Sequence, residues 1–348
     1  MKHFLFLLFM IFCNGFVHRA NAQDSLVIEN LVFEGAGIRG IAYCGALMEL
    51  DERGYLECID KVAGTSSGAI TACLVSIGYT PQETFEIIGN TDFGKFNDGG
   101  WGFIGGVHRL KKKLGYYKGK RFLSWLEELV AQKTGSAHTT FRDLRNLRGN
   151  QERCKVKDLA IAATSLNHQC TVIFSFETYP DMRIVDAVHA SMAIPLYFEP
   201  VAVSPAGKVV DYRKMSTEDH LCVDGGFTAN FIISYFDKID TNGEVIVAPT
   251  LGLRLDSDEQ IAEDLQQRNL AYQNIQSASE FIGAFYYIIK ETMNRQTLRE
   301  VDWDRTVSLS DCNMSPKVKK LSTREKEMLI NSGREGVKQY LNRKSTKK

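Results

Sequence analysis

The sequence predicts an α/β fold, with a mainly parallel sheet and helices on both faces. Twice between residues 29 and 77 a short apolar strand runs into a glycine-rich turn and then a helix, the alternation that builds parallel sheets. The composition fits: 348 residues are 44% hydrophobic and 24% charged, which is globular and allows one large domain or two smaller ones. No apolar run reaches the roughly 18 residues needed to span a bilayer. Lysine plus arginine and aspartate plus glutamate both number 42. That balance argues against a general electrostatic grip on nucleic acid.

The chain divides in order. Lys2 and His3 precede the apolar run Phe4–Phe12, and Ala20-Asn21-Ala22 offers small residues two apart. This is the pattern of a secretory signal peptide over residues 1–22, so export to a periplasm or the medium is expected. Residues 29–34 read as a strand, followed by Gly35-Ala36-Gly37-Ile38-Arg39-Gly40 and a helix to about Arg53, stopped by Gly54. Residues 59–63 form the second strand, which enters Gly64-Thr65-Ser66-Ser67-Gly68 and a helix to Ile77. Residues 80–150 read as mostly helical, with a loop over 97–106 and an amphipathic stretch at Arg121–Gln132. Strands are expected at 158–166, 170–177, Leu221–Val223 and Glu244–Ala248, and a short helix at Asp186–Ser191. Glu259–Gln296 reads as one long helical stretch and Arg324–Asn342 as a terminal helix, followed by a disordered basic tail over 343–348. Nothing resembles a linker, so residues 29–255 and a helical flank over 256–348 are expected to form one domain. The cysteines after the leader (Cys44, Cys58, Cys73, Cys154, Cys170, Cys222, Cys312) show neither metal-ligand nor disulfide spacing and read as free thiols. No metal or cofactor is implied.

Three local patterns carry chemistry. Gly64-Thr65-Ser66-Ser67-Gly68 fits G-x-S-x-G, in which a serine sits on a sharp strand-to-helix turn and small neighbours let a carbonyl approach. Ser66 holds the middle position. The Gly35–Gly40 turn suits two roles. One is a dinucleotide loop, which wants an acidic residue at the end of the next strand; that strand ends in the serine turn instead. The other is an oxyanion hole, where glycines leave backbone N–H groups to face developing charge. The serine also needs a base. His108, His138, His168, His189 and His220 remain after the leader, but none follows an acid in the order of an α/β hydrolase. Asp224-Gly225-Gly226 is the stronger candidate, since two glycines let the chain turn tightly behind the carboxylate.

These blocks in this order resemble the patatin-like phospholipase family. Ala190-Ser191-Met192-Ala193-Ile194-Pro195-Leu196-Tyr197-Phe198 is similar to a further block of that family, A-S-x-A-x-P-x-x-F. The resemblance covers most of residues 29–255. One departure is Glu34, where members often carry Asp or Gly, with no effect expected on catalysis. The resemblance implies a three-layer patatin-like fold and a lipid acyl hydrolase acting on phospholipid or another acyl ester. It implies Ser66 as nucleophile, Asp224 as proton acceptor, and an oxyanion loop of Gly35, Gly37, Ile38, Arg39 and Gly40. Gly64 and Gly68 shape the elbow, and Gly225 and Gly226 the acid turn. Arg39 reads either as a charge assisting the reaction or as an exposed arginine at a helix start. An acyltransferase on the same scaffold, and a non-catalytic lipid- or dinucleotide-binding protein, are the alternatives. The basic segment His108–Arg121, interleaved with Leu110, Leu114, Tyr116 and Tyr117, could meet an anionic lipid surface or be a solvated helix face.

Overall fold

The computed structural model describes residues 26–99, 102–149, 156–266, 268–314 and 320–346. The expected leader (1–22) and Cys154 lie outside them.

Strand β1 (Asn30–Phe33) leads through a 3-10 turn at Gly37–Ile41 into α1 (Ala42–Glu52), and Gly54, at a φ of 76°, reverses the chain beyond it. Strand β2 (Lys61–Thr65) enters α2 (Ser67–Ser76). Helix α3 (Pro81–Asn90) starts on a Thr80/Glu83 capping box with Pro81 in its first turn, the arrangement that satisfies the free N–H groups there. Then come α4 (Gly102–Lys113), β3 (Gly115–Tyr117), α5 (Lys120–Thr134) and α6 (Phe141–Arg148). The loop expected over 97–106 thus ends early, at α4. Helix α5 buries Phe122, Leu126, Leu129 and Val130, the apolar face its periodicity predicts.

Next are β4 (Asp158–Ser165), β5 (Cys170–Ser175), α7 (Ile184–Ser191), β6 (Leu196–Phe198), β7 (Val201–Val203), β8 (Val209–Val210) and β9 (His220–Asp224). Strands β10 (Lys238–Ile239) and β11 (Val245–Ile246) form a small exposed ribbon. The strand expected at Glu244–Ala248 is therefore only this ribbon. The sheet strand is β12 (Thr250–Asp256), buried along its whole length. Then α8 (Asp258–Gln266), α9 (Ala278–Arg295), α10 (Glu300–Asp304), β13 (Thr306–Ser310) and α11 (Thr323–Thr346) close the chain.

Three expectations for the C-terminal flank need correction. The continuous helix over 259–296 is broken. Arg268 takes a left-handed φ of 56° and its N–H returns to the Glu263 carbonyl at 2.9 Å, which ends α8. Ser277 then caps α9 by accepting from the Glu280 N–H. The flank also contributes β13, and the basic tail is helical through Thr346, with Lys344 paired to Asp304 and Arg343 lying over the Tyr340 ring.

The main sheet has the order β13-β12-β1-β2-β4-β9-β7-β8, with β5 also on β4. Its first five strands are parallel, as expected, and each further pairing is antiparallel. Side chains alternate between the two faces. Leu31, Phe33, Val62, Leu159 and Ile161 belong to the large core under α1, α2 and α7. Val32, Ala63 and Ala160 pack on the other face beneath Phe231 and Ile233. Helices α1 and α11 cross at glycines: a Cβ on Gly45 would stand 2.0 Å from the Ile330 carbonyl oxygen, and one on Gly333 2.0 Å from that of Ala42.

One register detail places the site. Strand β2 pairs with β4 only as far as Thr65 opposite Ala162. The next residues of β4, Ala163–Ser165, pair with Asp224–Cys222 of β9, arriving from the opposite direction. Two strand ends therefore meet head-on along one edge of β4, and their terminal residues become neighbours.

Candidate active site

Ser66 stands where β2 stops and α2 begins, at φ 53° and ψ −122°. Few side-chain-bearing residues tolerate that backbone, so surrounding contacts must hold it. The Ser66 N–H donates to Ser191 Oγ at 2.8 Å, and Ser191 Oγ donates to the Ala162 carbonyl at 2.6 Å. Gly64 and Gly68 make the turn sterically possible. A Cβ on Gly68 would lie 2.3 Å from the Phe33 carbonyl oxygen, and one on Gly64 2.3 Å from that of Gly68. Helix α2 starts at the next residue and directs its positive end at Ser66.

Ser66 Oγ donates to Asp224 Oδ2 at 2.6 Å across 158 residues of sequence. The other carboxylate oxygen, Oδ1, accepts from the Gly226 N–H at 2.7 Å. Gly225 lets the chain turn close to β4, since a Cβ there would stand 2.5 Å from the Ala162 oxygen. Asp224 is buried, and burial raises its pKa above the usual carboxylate value, against the opposing pull of its two hydrogen bonds and of the Lys290 charge. A buried carboxylate so raised is a better proton acceptor than one in water.

The glycine turn lies beside Ser66. The Ala36 N–H donates to Ser67 Oγ at 2.9 Å, and Gly40 leaves room for that hydroxyl. Ser67 thus fastens the turn while Ser66 faces Asp224. Gly37 has a φ of 59° and opens the 3-10 turn with Ile38. The first N–H groups of such a turn have no carbonyl of their own to meet. Gly37, Ile38, Gly40, Ser66, Met192, Ile194, Phe96, Phe122 and Phe198 are among the residues around a narrow, otherwise apolar cleft.

Arg39 is not the exposed helix-start arginine of one expected reading, since its side chain is largely covered. Its guanidinium pairs with Asp311 at 2.5 Å and donates to the Ala36 carbonyl at 3.1 Å. It ties the glycine turn to the segment after β13. Among the described residues Ser66 Oγ bonds to Asp224 and Met192 and to no histidine. His189 is half-buried against Phe122, and desolvation of its ring lowers its pKa. His220 meets Ser165 and stacks near His168, while His138 neighbours Arg183. The buried cysteines Cys44, Cys73 and Cys222 are pushed up to about 12, and the six described cysteines are free thiols.

Several residues of the site were not singled out from sequence. Asn230 donates to the Gly35 carbonyl and to Glu34 Oε1, and its carbonyl accepts from the Gly35 N–H. Asn294 on α9 accepts from the Asn230 N–H and donates to the Gly226 carbonyl. Together they brace the glycine turn against the acid turn. Glu34 accepts from the Leu255 N–H and neighbours the buried Arg254. Ser191 carried a signal as part of the Ala190–Phe198 block, and Glu34 stood out only as a departure before the glycine turn; Asn230 and Asn294 are polar residues in segments without a pattern.

Comparison with known proteins identifies relatives of this chain. A family model described as patatin-like phospholipase matches residues 31–237. The protein YqhO of Bacillus subtilis (strain 168) is 29% identical over 274 residues, covering 75% of this chain and 79% of its own. A protein of Invertebrate iridescent virus 6 named probable lipid hydrolase 463L is 28% identical over 211 residues, covering 59% and 62%. The crystal structure of VipD from Legionella pneumophila superposes with a TM-score of 0.53 at 18% identity, covering 91% of this chain and 67% of that one. The matched segment runs from β1 through the glycine turn, the serine elbow and the Asp224 turn, and by it this chain belongs to the patatin-like phospholipase family.

Proposed function

We propose that the protein is a serine lipid acyl hydrolase working through Ser66 and Asp224. The observation that carries this is the 2.6 Å hydrogen bond to the buried Asp224 carboxylate from Ser66 Oγ, whose strained elbow lines an apolar cleft. The name of the viral relative, lipid hydrolase, supports the same substrate class. Ser66 Oγ attacks the ester carbonyl carbon as Asp224 takes its proton. The carbonyl oxygen becomes an oxyanion facing the N–H groups at Gly37 and Ile38. Collapse breaks the bond to the alcohol, which leaves with the proton from Asp224. Water then attacks the acyl-serine, giving its proton to Asp224, and the fatty acid departs as Ser66 recovers that proton. The cleft holds the acyl chain and excludes water, which keeps the Ser66–Asp224 hydrogen bond strong.

We also propose export by the leader over residues 1–22; the mature chain should begin at Gln23 when its N-terminus is sequenced. The activity is tested by incubating the protein with mixed phospholipids and identifying products by mass spectrometry. Free fatty acid, absent with Ser66→Ala, is the expected result. Acyl groups appearing on an added alcohol would make it an acyltransferase. Absence of any acyl product, with no labelling of Ser66 by a fluorophosphonate, would overturn the assignment.

A further inference from the structure

Strand β6 lies on the rim of the cleft. Its neighbours Ile194 and Phe198 line the cleft, but Leu196 between them points away, 68% exposed and at a φ of 67°. It pairs with Gly115 of β3. Leu114, next to that partner, is also exposed and has a φ of 63°. Branched side chains rarely adopt such backbone, and these two serve no core. Ile104 on α4 is exposed as well. Helix α4 lies against the β3–β6 ribbon at Gly106, where a Cβ would stand 2.1 Å from the Tyr116 ring. Tyr116, Tyr117, Tyr197 and Phe198 then form a chain of rings, successive centroids 4.9 Å apart, leading back to the cleft. Tyrosine suits a boundary where one end is wet and the other apolar.

Charge is segregated here. The whole chain is balanced, yet residues 102–121 hold seven lysines and arginines and no acid. Lys111, Lys112 and Lys118 are exposed. The neighbouring acids are engaged: Asp98 accepts four backbone N–H groups at the start of α5, and Asp211 is paired with Arg213. Half-buried Glu199 lies amid the field of Lys113, Lys118 and Arg109. Helix α9 also exposes an apolar stripe, Phe281, Phe285 and Ile288. Its two cations, Lys290 and Arg295, are tied to Glu291 and Asp264, so it lacks the charge that selects an anionic surface.

We propose that Leu114, Leu196 and Ile104, flanked by Lys111, Lys112 and Lys118, form the face that docks on an anionic phospholipid surface. The apolar tips enter among the acyl chains, the lysines meet the headgroups, and the cleft rim faces the bilayer. This rests on the lipid hydrolase assignment above.

The test uses the full chain carrying Ser66→Ala, so that lipid stays intact. It is sedimented with vesicles of phosphatidylcholine alone or mixed with equal parts of phosphatidylglycerol. Binding should favour the mixed vesicles and fall with salt. Lys111→Glu/Lys112→Glu/Lys118→Glu should weaken it about 100-fold, since each lysine near such a surface contributes about fivefold. Leu114→Asn/Leu196→Asn should weaken it about tenfold or more while leaving the melting temperature unchanged or higher, because asparagine accepts left-handed backbone better than leucine. Both rim variants, with Ser66 restored, should hydrolyse a soluble ester at the unmodified rate. Undiminished binding by the charge-reversed variant would overturn the proposal, as would loss of binding with Phe281→Ser/Phe285→Ser instead. If the unmodified protein fails to cleave the soluble ester while rim-dependent binding persists, the docking face stands and the hydrolase assignment falls.

Discussion

Asp224→Asn keeps the shape of the acid turn and changes only its proton chemistry. The Gly226 N–H donates to Oδ1 at 2.7 Å, so the single oxygen of the amide must take that place. The amide NH₂ then replaces Oδ2, 2.6 Å from Ser66 Oγ, and donates where the carboxylate accepted. The serine hydroxyl loses its proton acceptor. The expected loss in kcat is about 10² to 10⁴, or about 3–5 kcal/mol of barrier, with KM within a few-fold because the cleft is unchanged. Stability should move the other way. Burial raises the folded pKa of Asp224 above its ordinary value of 3.8. Its favourable contribution is therefore full below the unfolded pKa and lost as pH rises through the folded one. At neutral pH the buried carboxylate costs stability that the neutral amide does not. The variant should melt at or above the parent temperature at neutral pH, with the gain vanishing below about pH 4. The parent's kcat/KM should show an acid limb above the ordinary carboxylate range, and the variant should lack it. Kinetics on a soluble p-nitrophenyl ester across pH, with circular-dichroism melts, measure all of this. A folded variant keeping kcat within about threefold, or retaining the acid limb, would refute Asp224 as the base.

Other expectations follow from the same geometry. Gly37→Ala places a side chain at a φ of 59° beside Ser66; kcat should drop about 10² to 10³ with KM nearly kept, and retained kcat in a folded protein would remove the turn from oxyanion binding. Arg39→Gln leaves Asp311 largely buried without its cation, a loss of about 2–4 kcal/mol in urea unfolding. Adding Asp311→Asn should recover more than half of it, whereas additive losses would contradict the pairing. Gly333→Val forces apart α1 and α11, where a Cβ has only 2.0 Å to the Ala42 carbonyl oxygen. Unfolding stability should fall by about 3 kcal/mol or more, and an unchanged urea midpoint would argue against so close a crossing.

The turns that make up the candidate site were legible because each motif is a local backbone device. A serine between glycines at a strand end, a glycine turn before a helix and an acid before two glycines each describe a few consecutive residues. Their physical demands, close approach and unusual φ, appear directly as residue types at Gly35, Gly64, Gly68 and Gly225. Amphipathic α5 was legible for the same reason, since a helix face is written every three to four residues. What brings Ser66 to Asp224 is not local. It depends on β9 arriving antiparallel on the edge of β4 that β2 leaves unpaired, a pairing between segments far apart in the chain. Strand β13 was hidden likewise, because five residues of mixed polarity, Thr306–Ser310, become a strand only against β12. The apolar run at 245–248 misled for the opposite reason: its hydrophobicity found no layer to cover it, and the sheet took Thr250–Asp256 instead. Arg39, Asn230, Asn294 and Asp311 gained their roles from partners tens to hundreds of residues away. A polar side chain carries no mark of which distant group will satisfy it. That choice belongs to the packed chain, where an unpaired buried polar group is too costly to leave.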